Sequence, residues 1–104
     1  MEIALGTFQL TQNFPTTERY GLTSQMNRSA MSISSNIAEG SSRQSQKEYK
    51  RFIEIALGSC FELETQLLIA RSVNFAVENE IDVLLGMIME EQKMILAFIN
   101  TLKI

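Results

Sequence analysis

Four cations crowd one short stretch of the chain. Arg43, Lys47, Lys50 and Arg51 stand at i, i+4, i+7 and i+8, the spacing that brings side chains to one face of an α-helix. Only Glu48 opposes them between Arg43 and Arg51, a local balance of +3. Such a cluster can contact phosphate oxygens and hold a nucleic-acid backbone without reading its bases. The plainer reading is a solvated helix face, and the sequence leaves both open. Any such contact is local, because 9 Lys and Arg against 12 Asp and Glu leave a net charge of −3. Residues 1–51 carry six basic and four acidic side chains (+2), and residues 52–104 carry three and eight (−5). No global positive field draws the chain to nucleic acid or to an anionic membrane.

Other chemistry is thin. The chain has no histidine, which removes the commonest general acid–base, the Ser-His-Asp arrangement and most zinc or haem ligation. The single cysteine, Cys60, cannot form an intrachain disulfide or a thiolate metal site alone. It falls on an apolar helical seam, where a thiol is expected to act as a small buried hydrophobe rather than a nucleophile. Glu62 and Glu64, and likewise Glu90 and Glu91, are spaced so that each pair diverges around a helix. No glycine-rich phosphate loop of standard spacing is present. No catalytic, cofactor or metal site is expected, and the reading is of a non-enzymatic protein. One free cysteine, no signal-peptide pattern and no apolar run near the ~20 residues of a membrane span point to a cytoplasmic protein without a membrane partner.

The elements that position these residues are helical. One proline and no tryptophan in 104 residues, with 45% apolar content, argue for a globular chain of long helices in a single domain, 1–104. A short first segment, about Glu2 to Gln12, carries Ile3, Leu5, Phe8 and Leu10 and is broken at Asn13-Phe14-Pro15. The second, from near Thr17 to Glu39, repeats Leu22, Met26, Ala30, Ile33 and Ile37 at helical steps, with Gly21 an early bend and Gly40 a left-handed cap. The third opens on a capping box, Ser45 to Glu48, with Asn74 as its stop. Its Tyr49, Ile53, Ala56, Cys60, Leu63, Leu67 and Ala70 step 4-3-4-3-4-3, a heptad seam. The fourth, Glu78 to Leu102, has a main seam of Ile81, Leu84, Ile88, Ile95, Phe98 and Leu102 that Glu91 interrupts. The architecture expected is all-α: an antiparallel up-down four-helix bundle with a short first helix. The apolar stripes of helices three and four are wider than one seam requires, and such excess predicts self-association.

Two small-residue stretches carry polar side chains where a helix interior should be apolar: Ser29 to Gly40, and Ala56 to Glu64. An antiparallel pairing brings Asn36 or Glu39 near Ser59 or Glu62, so these four are the expected members of a structural polar network that fixes register.

The chain resembles the four-helix-bundle proteins read from intervening sequences of bacterial 23S rRNA genes. The resemblance rests on Phe14-Pro15, Glu18 to Gln25, Ser35-Asn36-Ile37-Ala38-Glu39-Gly40, Phe52 to Ser59 and Glu62-Leu63-Glu64, over about residues 5–75. It implies an up-down bundle assembled as a homopentamer. It implies no defined activity. A related accessory variability protein of diversity-generating retroelements is a basic pentamer that binds its reverse transcriptase and nucleic acid, which implies an adaptor role associated with RNA or a nucleoprotein. The alternative is a protein-binding scaffold without nucleic acid. The chain departs from the family at Asn27-Arg28-Ser29, where Arg-Arg-Ala is usual, and at Ser32-Ile33-Ser34-Ser35, where a proline is usual. Its first helix is also shorter and its charge more acidic, departures that bear on nucleic-acid binding more than on fold.

Overall fold

The computed structural model describes residues 1–102. Four helices follow one another: α1 (Glu2–Thr11), α2 (Leu22–Ser41), α3 (Gln46–Ser72) and α4 (Glu78–Ile99), with a 3-10 turn at Thr16–Glu18. Among the described residues there is no strand. Helices adjacent in sequence are adjacent in space and α1 closes the square against α4, so this is an up-down bundle, 44 × 23 × 18 Å.

The helix ends follow from local chemistry. At the start of α3 the Glu48 amide donates to Ser45 Oγ at 3.1 Å. This satisfies one of the orphan amides of the first turn. At its end Asn74 takes φ 59°, the Phe75 amide donates to the Ala70 carbonyl at 3.0 Å and the Asn74 amide to that of Arg71 at 3.2 Å. That is a Schellman stop, with asparagine in the left-handed position. Arg71 then reaches across the turn to Glu78 at 2.6 Å and Asp82 at 3.2 Å, tying a basic helix end to an acidic helix start. These carboxylates push the guanidinium pKa up, the hydrogen bond to Glu78 foremost.

Three ends differ from the spacing-based expectation, one of them the end of α4, which stops at Ile99 rather than Leu102. α2 begins at Leu22, not Thr17, because Pro15 launches only one 3-10 turn and Gly21 breaks the backbone direction before the helix proper. Glu18 Oε1 accepts the Leu22 amide at 3.4 Å. Gly40 is no left-handed cap: no glycine has a positive φ among the described residues, and α2 runs through it to Ser41. Its value is closeness. A Cβ on Gly40 would lie 2.9 Å from Phe52 Cβ and 3.0 Å from Tyr49 Cδ1, so only hydrogen fits between α2 and α3.

The α3 heptad forms the spine of the core. Ile53, Ala56, Cys60, Leu63, Leu67 and Ala70 are buried, with Met26, Ala30 and Ile33 of α2 and Ile81, Leu84, Ile88 and Ile95 of α4 around them. Each fully buried large side chain contributes about 1.5–3 kcal/mol relative to exposure. Aromatic pairs close the two ends: Phe14 with Phe75 at 5.5 Å and Tyr49 with Phe98 at 5.2 Å. The short α1 splits its apolar residues. Ile3, Thr7 and Leu10 face inward, while Leu5 and Phe8 are each 55% exposed. The i, i+4, i+7 face that meets the core includes Thr7, whose hydroxyl donates to the Ile3 carbonyl at 2.7 Å.

Candidate functional site

The cation cluster divides at the start of α3. Lys47, Lys50 and Arg51 lie on the first turns of that helix and line one shallow hollow, with Glu48 and Glu54 on the same rim. Among the described residues none of the three has an ion-pair partner. Arg43 does not join them. It lies in the turn between α2 and α3, so helical spacing does not carry it onto the α3 face. There it pairs with Glu39 and stacks over the Phe52 ring at 4.9 Å. A guanidinium held by a carboxylate and an aromatic face has less left to offer a phosphate. The hollow itself carries three cations against two carboxylates.

The polar stretches of α2 and α3 meet in one register. Ser29 Oγ donates to Glu62 Oε1 at 3.0 Å, and Ser32 and Ser59 share a 2.8 Å hydroxyl–hydroxyl bond. Ser59 Oγ also donates to the Ile55 carbonyl at 3.2 Å, which commits its proton, so Ser32 is the donor between them. Asn36 Nδ2 donates to Ser32 Oγ at 2.9 Å and to the Ser32 carbonyl at 2.8 Å. A directed chain therefore runs from Asn36 through Ser32 and Ser59 to a backbone carbonyl. Ser29 and Ser59 are 4% and 7% exposed, a depth at which an unpaired hydroxyl would cost about 1–3 kcal/mol. Asn36, Ser59 and Glu62 thus stand on this interface, and Glu39 stands outside it with Arg43. Ser29 and Ser32 complete it. Their signal in the sequence was a serine at each helical step opposite an equally small surface. Further along, Gln92 Nε2 of α4 donates to Glu64 Oε1 at 2.7 Å.

The bonds of this seam join α2 to α3 and hold their hydroxyl protons on fixed acceptors. Cys60, fully buried in the core, has its thiol pKa pushed up to about 12 by burial and, secondarily, by the charge of Glu91. It is protonated and inert at neutral pH. Among the described residues no three His, Cys, Asp or Glu side chains converge as a metal would need, and no helix is long and apolar enough to cross a membrane.

A four-helix bundle with a Phe-Pro break before α2 and a serine-rich seam facing α3 agrees with what the sequence resembles, and the short α1 remains a departure from it. The description "23S rRNA-intervening sequence protein" matches residues 1–97. The chain belongs to this family. A search among curated proteins finds no match. The family description names a gene location and no reaction.

Proposed function

We propose that the protein is a non-enzymatic, self-associating adaptor that meets RNA or a nucleoprotein through phosphate contacts from Lys47, Lys50 and Arg51. The observation that supports it most is that these three unpaired cations share one surface at the start of α3. Further along the same helix Ile55, Phe61, Leu68 and Ile69 are 42–49% exposed. Exposed apolar residues in such number are the usual mark of a subunit interface. Assembly repeats the cation cluster, and repetition multiplies a weak anion contact. The assembly that the family resemblance implies is a homopentamer, and the working compartment in this reading is the cytoplasm. Arg43 contributes least, because Glu39 already neutralises it.

The test is a salt titration with single-stranded RNA. Three phosphate contacts per protomer predict a slope of log K against log salt of about −2, at about 0.7 per contact. Lys47→Glu with Lys50→Glu should abolish binding. Binding that ignores both salt and these substitutions defeats the reading. Light scattering that returns a monomer defeats self-association.

A second reading, a protein-binding scaffold without nucleic acid, is favoured by Glu48 and Glu54 on the rim of the same hollow. Pull-down from nuclease-treated lysate separates the two. Partners that survive nuclease favour the scaffold, and partners lost with the nucleic acid favour the adaptor.

A further inference from the structure

The exposed apolar residues of α3 do not share one face. Ile55 lies one turn before Ser59 and Ile69 two turns after Glu62, the residues that bond to α2, so both stand on the α2 side of the helix. Phe61 and Leu68 lie one turn to either side of Glu64, which accepts from Gln92 of α4, so they stand on the α4 side. On α4, Met89 and Leu96 flank Gln92 at the same spacing. Four large apolar side chains thus surround one hydrogen bond on the outside of the α3–α4 pair, each 44–50% exposed. A cluster of this kind is the mark of a contact surface.

The two helices carry the same stripe with opposite charges at its head. On α3 it reads Lys50, Leu57, Phe61 and Leu68, in steps of 7, 4 and 7. On α4 it reads Glu78, Leu85, Met89 and Leu96, in the same steps. Leu57 and Leu85 are half-buried against the core and carry the apolar centre outward. Because α3 and α4 run antiparallel, the two charges stand at opposite ends of the face. Arg71, which reaches Glu78, stands 21 residues beyond Lys50, about 32 Å along the helix. At one end Lys50 has no ion-pair partner among the described residues. At the other, exposed Glu78, Glu80 and Asp82 have Arg71 as their one basic neighbour across the turn.

A face that is apolar in the middle, basic at one end and acidic at the other is complementary to itself turned end for end. A two-fold axis across the helices lays one apolar centre on the other and brings Lys50 of each copy toward Glu78 of the second copy. An anionic membrane or a uniformly charged partner would satisfy one end and repel the other. We propose that the outer α3–α4 face pairs two copies of this chain about a two-fold axis. This contact presupposes the self-association proposed for the chain and names a surface that carries it. A ring such as a homopentamer is closed by head-to-tail contacts between different surfaces. The separate face of Ile55 and Ile69 is left free for such a contact, so the two-fold pairing adds to a ring and does not replace it. Lys47 and Arg51 stand further round α3 from the stripe, on the side open to phosphate.

Light scattering on the full chain, without RNA, reads the pairing as mass. Phe61→Glu and Met89→Glu each set a carboxylate in the apolar centre and should each halve the mass of the wild-type assembly. Lys50→Glu and Glu78→Lys should each raise the dissociation constant of the pairing about tenfold, since each change acts at both ends of the two-fold contact. The double variant, Lys50→Glu with Glu78→Lys, exchanges the charges and should restore the wild-type value. Circular dichroism checks that each variant keeps the fold, and the charge exchange tests the contact without touching the apolar centre. A monomeric wild type overturns this proposal and the self-association reading together. A wild-type assembly whose mass survives both Phe61→Glu and Met89→Glu overturns the two-fold contact alone, and so does a double variant that pairs as weakly as the single ones.

Discussion

The α2–α3 and α1–α4 seams belong to the same square of helices and are built on opposite plans. α2 and α3 approach through small residues. Serine meets serine and glutamate, Gly40 meets the Tyr49 and Phe52 side chains, and each buried hydroxyl has a partner. α1 and α4 touch closely at Gly6, where a Cβ would be 3.2 Å from Leu84. Open grooves of about 480 and 930 Å³ run beside and beyond that contact. The first seam specifies a register, since hydrogen-bonded pairs at fixed sites penalise any slip. The second leaves Val83 and Met94 of α4 exposed. Register is thus fixed by the α2–α3 seam and not by the looser α1–α4 contact.

Substitutions can break this contrast, beginning with the core. Leu67→Ala, at a position with no exposure, should cost about 2–5 kcal/mol in urea denaturation. Val83→Ala, 59% exposed on the open side, should stay within about 0.5 kcal/mol. Equal losses would mean that the open side is covered in solution.

Cys60 gives a pH test of the same core. Its folded pKa of about 12 lies above the ordinary 9.0. Above pH 9 the unfolded chain releases a proton that the folded chain keeps. The stabilisation is therefore complete below pH 9 and is lost as pH rises toward 12. Urea midpoints should fall across that interval more steeply in the native protein than in Cys60→Ala. Parallel curves would show that the thiol is not shielded.

The two-glycine comparison is smaller and changes sign. Gly40→Ala must displace Phe52 and Tyr49 and should cost about 1–3 kcal/mol. Gly86→Ala meets open space and should gain about 0.5–1 kcal/mol from helix propensity. Thermal melts of the pair decide it. A stabilising Gly40→Ala would show that the α2–α3 approach is looser than the geometry gives. A last comparison is the coupling across the serine bond. A double-mutant cycle on Ser32→Ala and Ser59→Ala should return about 0.5–1.5 kcal/mol, and a value near zero would remove the register argument.

Much of the bundle was legible in advance because it is local or periodic. The α3 seam from Ile53 to Ala70 is buried at every predicted step. Ser45 caps the helix it precedes, and Asn74 takes the left-handed stop. These depend on a helix's own period and on the chemistry of its own ends. Apart from the start of α2, which Pro15 and Gly21 set locally, what the sequence left undecided or misplaced involves a neighbour. The inward face of α1 had no reading in the sequence: Thr7 turns inward while Leu5 and Phe8 turn out, since α1 has apolar residues on two faces and only contact chooses between them. Arg43 leaves the cation cluster because helical counting does not extend through a turn. Glu39 leaves the polar network because it pairs instead with that arginine, one turn away.

By itself the sequence determined four helices, their order, the α3 spine and the family. Periodicity and composition are properties of the chain alone, and they carry that much. The tertiary structure decided how closely α2 and α3 approach at Gly40 and which cations are drawn into ion pairs. Those outcomes depend on distances between helices, and no residue spacing within a single helix records them.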